Sequence, residues 1–458
     1  MAREFPLRPV RVKTIRTAHR RISGAIPDRR TIEAIRRLRA AEPISMRGQA
    51  PLIWDRAEGF QVYDRRGNCW IDFSSGVLIA NAGHGRREIA DAIVRQARRP
   101  LLASYCFPNM PRLELVELLS RLSPAPLKKV FLLSTGSEAT ECVLKLMRTY
   151  GTRQGGPSKK VIVSFERSFH GRTLGAQQMG GIPSGKAWIQ NLDPDIVHAN
   201  FPDGFRCRDT SFAHFEETLR RLGVDADRVA GVISETYQGG GASFMPTEFA
   251  VALRRWCDRH GALLAFDEVQ AGFGRCGRFW GFELYGVKPD LFCVGKGISS
   301  SLPVSAVIGR REVMDLYGPN EMTSTHSGNP VCAAAAAASI RLILREKLVE
   351  NARKTGATLQ SELDAIRADF PDIVGARHGA GLVAGLHMVR AGSTDPEPDL
   401  AWEVVYRCYL KGLLMFAPVG FGGATVKIAP PLCITRDAVM EGCLVIREAI
   451  SEIAGRKK

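Results

Sequence analysis

The sequence predicts an α/β fold: a larger domain with a mainly parallel sheet covered by helices, and a smaller α+β domain. Three observations indicate it. Between about residues 85 and 310, short apolar runs alternate with helical patterns, as in parallel sheets buried on both faces. From residue 331 onward, long helical patterns surround a Gly-rich strand pair, which is typical of an α+β domain. The length of 458 residues allows two or three domains.

Six apolar runs of the larger domain are predicted to be its buried strands. They cover residues 130–133, 161–165, 229–234, 262–266, 291–294 and 304–308. Helical patterns between them include residues 139–147 and 249–259. Because the ligands of such sheets bind at the carboxyl ends of the strands, functional side chains are expected directly after these runs.

The flanking regions supply the remaining elements. Before the larger domain, the sequence predicts a helix over residues 31–41 and a hairpin over 51–75, with its turn at 64–68. After it, helices are predicted over residues 332–346, 348–367, 401–411 and 436–453, with strands within 379–387 and 425–428. The predicted divisions are a basic N-terminal arm (1–45), a segment joining the smaller domain (46–84), the larger domain (85–335) and the C-terminal smaller domain (336–458).

Composition narrows the class of protein. The chain is 45% hydrophobic and 24% charged, which excludes a disordered or fibrous protein. No apolar stretch approaches the roughly 20 residues of a membrane helix, so no membrane partner is expected. The net charge is +16, and the first 40 residues hold 12 of the 63 basic residues but only 3 of the 47 acidic ones.

The charged arm has several interpretations. The favoured one is a solvated arm, or one packed against an acidic surface. Nucleic-acid binding is a weaker alternative because no aromatic residue interleaves the basic ones after Phe5. A transit peptide is a further alternative, since the arm is Arg-rich and acid-poor but holds few hydroxyl residues. A nucleic-acid partner is therefore not expected.

The cysteines indicate a reducing compartment. The chain has 11 of them, scattered singly, without C-x-x-C spacing and without a Cys/His cluster that resembles a zinc site. We therefore predict free thiols, a cytoplasmic protein and no metal.

Two groups that follow predicted strands suit a phosphorylated, flat ligand. Gly136 and Ser137 stand where a helix begins, and a helix N-terminus binds phosphate well, although ordinary helix capping is the better explanation of this pattern taken alone. Phe169 and His170 follow the next strand, and an aromatic ring there could stack on a ligand. Core packing of Phe169 and a satisfied loop histidine are the alternative.

Two further groups supply charge. Asp267 and Glu268 follow a buried strand and point to opposite faces, so one of them must face the site or pair with a base. Lys296 lies between Gly295 and Gly297 after another strand, where a desolvated amine suits Schiff-base chemistry, although most lysines are simply at the surface. A phosphate anchor, a stacking ring, an aspartate and a desolvated lysine together are what pyridoxal phosphate requires.

With these residues, the chain resembles the class III aminotransferases, a pyridoxal-phosphate family of fold type I. The resemblance spans about residues 50–450 and rests on five ordered motifs. They are Ser-Thr-Gly-Ser-Glu-Ala at 134–139, Phe-His-Gly-Arg-Thr at 169–173, Asp-Glu-Val-Gln at 267–270, Gly-Lys-Gly at 295–297 and Thr-His-Ser-Gly-Asn-Pro at 325–330. The resemblance implies transamination between an amine or amino acid and a keto acid by a ping-pong Schiff-base mechanism.

The resemblance also implies the catalytic roles. Lys296 would form the Schiff base with pyridoxal phosphate and carry the proton between substrate and cofactor. Asp267 would keep the pyridine nitrogen protonated. Gln270 would approach the ring hydroxyl, while Val269 and Phe169 would pack on its two faces.

The other site residues follow from the same resemblance. Gly136 and Ser137 would hold the phosphate, and His170 belongs to the same cofactor site. Thr325 would reach the phosphate of a neighbouring subunit, which implies a homodimer or a dimer of dimers. The residues expected to border the substrate are Glu235, Trp54 and Lys427.

Two departures from the family pattern concern the acceptor. Members that use glutamate usually have a second Glu where this chain has Gly240, paired with an arginine where this chain has Lys427. Lysine cannot form the two-pronged contact with which arginine recognises a carboxylate. A small keto acid such as pyruvate, or an amine without an α-carboxylate, is therefore expected, unless another arginine takes the missing place.

Other reactions share the same lysine and aspartate. Racemisation or epimerisation, decarboxylation and phospho-lyase chemistry are the alternatives within the family. A cofactor-bound regulatory or interaction protein is a remote alternative, because every cofactor-contacting position is filled.

Overall fold

The computed structural model describes residues 3–455 and divides into two compact units. One unit comprises residues 87–349. The other combines the residues up to 86 with those from 350 onward. The domain boundaries at 45, 84 and 335 remain predictions, and each unit is described by itself below.

The unit of residues 87–349 is built on a seven-stranded sheet. Its strands in chain order are β1 (Lys129–Leu133), β2 (Val161–Phe165), β3 (Ile196–Ala199), β4 (Val229–Glu235), β5 (Leu263–Asp267), β6 (Leu291–Val294) and β7 (Ser305–Gly309). They lie side by side in the order β3-β2-β4-β5-β6-β7-β1. The pairs from β3 to β6 are parallel, and only β7 runs antiparallel to its neighbours. The predicted mainly parallel sheet is thus confirmed.

Six of these strands match the predicted apolar runs within a residue or two. The edge strand β3 is the one that sequence patterns missed. It is four residues long and contains His198, and Asp193, Pro194 and Asp195 precede it, so its apolar run is too short to stand out.

Helices cover this sheet, and several of them have a side-chain cap at the N-terminus. The longest, Gly136–Gly155, begins at the N-cap Thr135, whose hydroxyl accepts the backbone N–H of Glu138. Its Val143, Leu146 and Met147 are buried in the core cluster of this unit. The remaining helices are Arg87–Ala97, Met110–Leu122, Leu174–Met179, Pro183–Lys186, Phe212–Arg221, Thr247–Arg259, Arg311–Met314 and Pro330–Arg345.

The other unit combines short antiparallel strands with long helices. The predicted hairpin is present as strands Arg56–Glu58, Gln61–Tyr63 and Cys69–Asp72, and Asp64 accepts backbone N–H bonds within the turn between the last two. A three-stranded sheet contains Val374–Ala380, Val383–Met388 and Thr425–Ile428. The helices are Arg29–Ala41, Ser75–Leu78, Leu348–Asp369, Pro398–Leu410 and Arg436–Ala454.

The basic N-terminal residues belong to a folded segment, and most of their side chains are exposed. Short strands at Val10–Arg11, Ile15–Arg16, Arg21–Ile22 and Ala25–Ile26 pair with one another and with Cys69–Asp72. Phe5 is 2% exposed and packs on Trp402, while the guanidinium of buried Arg20 donates to Glu441 and to the carbonyl of Lys411. Apolar residues between the arginines thus anchor this segment, while most of its basic side chains face solvent.

Two features are absent from residues 3–455. No helix there is long and apolar enough to cross a membrane. No group of three or more His, Cys, Asp or Glu side chains there could hold a metal ion.

Candidate active site

Asp267 is the last residue of β5, at the carboxyl end of the parallel strands, where functional groups are expected. Its side chain is only 5% exposed. Oδ2 lies 2.9 Å from Nδ1 of His170, and Oδ1 accepts a hydrogen bond of 3.0 Å from the backbone N–H of Val269. Two neighbours therefore fix the direction of this carboxylate.

His170 connects Asp267 to β2, which is separated from β5 by β4 in the sheet. The imidazole is buried, and its Nε2 lies 3.3 Å from the hydroxyl of Ser164 on β2. Contacts at both ring nitrogens fix the orientation of the imidazole. The structure thus makes His170 a support for Asp267. Ser164 was not predicted, because a serine inside an apolar strand gives no functional signal of its own.

Lys296 follows β6 in the left-handed backbone conformation, with φ of +40°. Such a conformation is uncommon outside glycine and often marks functional sites. Burial lowers the pKa of the Lys296 amine, and the charges of Asp267 and Glu235 oppose that shift. A lowered pKa increases the neutral fraction of the amine, which is its nucleophilic form.

Glu235 ends β4 and is the register partner of Asp267. Its Oε2 accepts the backbone N–H of Phe169 at 2.9 Å, and its Oε1 accepts that of Gly239 at 2.8 Å. Burial raises the pKa of Glu235 to about 7, and the charge of Asp267 adds to the increase. Glu235 therefore holds the backbone of the predicted stacking residue Phe169, a contact that sequence spacing does not reveal.

The start of helix Gly136–Gly155 is closely surrounded. A Cβ on Gly136 would lie 2.9 Å from Cγ1 of Val269. Gly171 has φ of +137°, and a Cβ there would lie 2.4 Å from Oγ of Ser137. Both glycines are needed for these close approaches, so the helix N-terminus, Val269 and the loop after β2 converge at one place.

The loop that contains Thr325 lies beside this helix start. The hydroxyl of Ser324 donates to Oε1 of Glu138 at 2.8 Å, and Oε2 of Glu138 accepts the backbone N–H of Ser134. Thr325 itself is exposed. Its predicted contact with a neighbouring subunit stays a prediction.

Glu268 is buried on the opposite side from Asp267. No cationic partner is needed: Glu268 accepts the hydroxyl of Thr236, the N–H of Gly281 at 2.6 Å and the N–H of Phe282 at 3.0 Å. Burial raises the pKa of Glu268 to about 7. The donors come from residues far along the chain, which is why sequence reasoning did not find them.

The remaining predicted residues divide between the two units. Gln270 belongs to the sheet unit, where a Cβ on Gly239 would lie 2.2 Å from its Nε2. Trp54 and Lys427 belong to the other unit. Trp54 is 40% exposed and lies edge-on to His84, whereas Lys427 is buried, with its amine 5.8 Å from the ring centroid of Phe416. Their roles toward a substrate stay predictions.

Comparison with known proteins decides the family. The family description "Aminotransferase class-III" matches residues 44–450. The chain belongs to the class-III aminotransferases. It is accordingly a pyridoxal-phosphate-dependent aminotransferase of fold type I, as the sequence motifs indicate.

Relatives of this aminotransferase carry more than one name. It is 32% identical to an isoleucine 2-epimerase from Lentilactobacillus buchneri, over 88% of this chain and 90% of that protein. It is 31% identical to an acetylornithine aminotransferase from a Nostoc species, over 90% of this chain and 92% of that protein. A PLP-bound amine transaminase from an uncultivated Pseudomonas species aligns with a TM-score of 0.80 and 29% identity, over 88% and 95% of the two chains.

Proposed function

We propose that this aminotransferase moves an amino group between an amine or amino acid and a small keto acid such as pyruvate, with Lys296 and Asp267 as its catalytic residues. One observation carries the assignment of these residues. The amine of Lys296 follows a strand end, is desolvated, and experiences the charges of Asp267 and Glu235. This combination suits an amine that forms a Schiff base.

The residues at the site fit pyridoxal phosphate. The N-terminus of a 20-residue helix at Gly136 and Ser137 would hold the phosphate with free backbone N–H groups. Phe169, which is 36% exposed, and Val269 offer apolar faces for the ring. Gln270 would approach the ring hydroxyl. The buried carboxylate of Asp267 would pair with the ring nitrogen.

The cofactor and the side chains divide the chemistry. When bound, pyridoxal phosphate supplies an aldehyde carbon for the amino group and a ring that takes up electrons from a breaking substrate bond. The Nζ of Lys296 would take the proton from the substrate carbon and return it. Asp267, oriented by His170, would keep a proton on the ring nitrogen.

The pH dependence of cofactor attachment tests whether the charge of Glu235 acts on the pKa of the Lys296 amine. Because the negative charge of Glu235 raises the pKa of the Lys296 amine, Glu235→Gln should lower that pKa further. Only the neutral amine reacts, so the attachment rate of pyridoxal phosphate to apoenzyme should reach its midpoint at lower pH in Glu235→Gln. The growth of visible absorbance over a pH series measures it.

A distant carboxylate provides the control for this experiment. Glu248 lies in helix Thr247–Arg259, is exposed and should have no such effect when changed to Gln. An unchanged or raised midpoint in Glu235→Gln would show that its charge does not act on Lys296.

The acceptor proposal rests on two positions. Gly240 and Lys427 stand where glutamate-using members carry a glutamate and an arginine, so the two-pronged recognition of a second carboxylate is missing. Arg172 lines a cavity of about 250 Å³ beside Phe169, and we propose that its guanidinium receives the single carboxylate of a small keto acid.

Single-turnover spectroscopy tests this acceptor proposal. Without a keto acid, L-alanine should remove the visible absorbance of the bound cofactor at least about tenfold faster than L-glutamate, since a charge-assisted pair is missing for glutamate. Lys427→Arg is the matched variant and should reduce the difference. Glutamate turnover as fast as alanine turnover in the unaltered enzyme would contradict the proposal.

Racemisation or epimerisation of an aliphatic amino acid is the second candidate function. The observation in its favour is the 32% identity to an isoleucine 2-epimerase. This reaction would need the same proton transfer at Lys296 but no keto acid. Chiral analysis of leucine or isoleucine incubated with the holoenzyme alone distinguishes it from transamination.

We further propose a homodimer in which Thr325 contributes to the partner's cofactor site. The support is an apolar surface within the sheet unit. A hydrogen bond of 3.0 Å between the hydroxyls of Tyr105 and Thr323 joins this surface to the loop of Thr325. Its exposed residues are Leu101, Leu102, Tyr105, Phe107, Met110 and Leu113. Exposed apolar patches of this kind mark protein interfaces.

A cytoplasmic location is proposed from the cysteines. None of the 11 is in a disulfide in the structure, and seven of them are buried. Thiols without disulfide bonds agree with a reducing compartment.

A further inference from the structure

The buried carboxylate of Glu268 is not used by the proposed chemistry, yet it accepts hydrogen bonds from two other segments of the chain. It accepts the hydroxyl of Thr236 at the end of β4 and the N–H groups of Gly281 and Phe282. The hydroxyl of Tyr285 donates to the carbonyl of Thr236 and closes the arrangement. We call Thr236, Glu268, Gly281 and Tyr285 the rear bracket.

The rear bracket lies directly behind the residues that face the cofactor site. Thr236 follows Glu235, and Glu268 stands between Asp267 and Val269. Asp267 is the last residue of β5 and Val269 begins a turn, so the hydrogen bonds of Glu268 hold the backbone between these two residues. The N–H of Glu268 also donates to the carbonyl of Cys293 at 2.8 Å, two residues before Gly295 and three before Lys296.

The atoms around Gly281 in the rear bracket are so closely packed that no side chain fits there. A Cβ on Gly281 would lie 2.8 Å from Cβ of Ala271, 3.0 Å from Cγ2 of Thr236 and 3.1 Å from Oε1 of Glu268. A buried carboxylate with two N–H donors and a hydroxyl donor is costly to disturb, because any lost donor leaves a buried polar group unsatisfied.

We propose that Glu268 and Thr236 are positioning residues that set the direction of Asp267 and Val269 toward pyridoxal phosphate. The proposal rests on the proposed function, since it assumes that Asp267 meets the cofactor.

The chain offers a matched pair of variants for the test. Thr236→Val keeps the shape and removes the hydroxyl, whereas Thr236→Ser keeps the hydroxyl. Glu268→Gln removes one acceptor oxygen that faces backbone donors. The measurements are the dissociation constant of pyridoxal phosphate, the pH midpoint of the visible absorbance of the bound cofactor, and thermal unfolding of each variant.

Glu268→Gln should weaken cofactor binding about tenfold, as expected for a lost charge-assisted hydrogen bond. Thr236→Val should weaken it and move the absorbance midpoint, and Thr236→Ser should restore both toward the unaltered enzyme. If Glu268→Gln fails to fold, the comparison of Thr236→Val with Thr236→Ser still tests the positioning role.

Two results would overturn the positioning role. One is that Thr236→Val lowers thermal stability while cofactor affinity and the absorbance midpoint stay unchanged. The other is that Thr236→Ser is as defective as Thr236→Val. A failure of the proposed function is distinguishable, because it would show as absent cofactor binding or amino transfer in the unaltered enzyme.

Discussion

Lys296→Ala should abolish the visible absorbance of bound pyridoxal phosphate and reduce amino-group transfer by at least about three orders of magnitude. The variant loses both the amine that holds the cofactor and the group that moves the substrate proton. Absorbance spectra and turnover with an amine donor and pyruvate measure the two losses. Addition of small amines such as ethylamine should recover part of the proton transfer.

Lys159 provides the control for that experiment. It is also a buried lysine whose pKa is lowered by burial, but its amine donates to the carbonyls of Asp227 and His260. It precedes β2, at the amino end of the sheet, so Lys159→Met should affect stability and leave the absorbance in place. An absorbance band that survives in Lys296→Ala would overturn the assignment of the catalytic lysine.

Asp267→Asn should lower the rate of amino-group transfer by about two to three orders of magnitude, in the range found when one aligned electrostatic contact is removed. The amide cannot keep a proton on the ring nitrogen, and it disturbs the contact with Nδ1 of His170. The cofactor should still attach to Lys296. Turnover per bound cofactor therefore has to be measured, together with the absorbance spectrum.

Asp290 is the matched aspartate for this comparison. It lies at the amino end of β6, accepts the backbone N–H of Leu264 and pairs with Arg254 at 2.8 Å. Asp290→Asn should reduce thermal stability without a comparable loss of turnover per bound cofactor. If Asp267→Asn behaves like Asp290→Asn, the role of Asp267 is structural and the mechanism proposed above is wrong.

Sequence patterns predicted the sheet because its strands are buried on both faces. Such strands read as uninterrupted apolar runs, and the groups after them, including Asp267 and Lys296, then fall at one edge of the sheet. The small strands at residues 10–26 escaped prediction, since two-residue strands have no periodicity. Their apolar anchors, among them Phe5 and Ile22, are recognisable only once their partners are known.

The contacts that support the site depend on residues distant in sequence. His170 meets Asp267 97 positions away, and Glu235 holds the backbone of Phe169 66 positions away. Motif spacing identifies such residues individually but gives no information on their pairing. Glu268 illustrates this limit. The sequence indicates a buried carboxylate that needs a partner, but its partners include backbone N–H groups, which cannot be identified from residue type.

Transfer of a labelled amino group tests the central claim most directly. The holoenzyme is incubated with pyruvate and a panel of nitrogen-labelled amines and amino acids, and the alanine formed is analysed by mass spectrometry. We expect labelled alanine, together with the keto product of the donor, from the unaltered enzyme and none from Lys296→Ala. Loss of optical activity from a single amino acid, without labelled alanine from any donor, would contradict it.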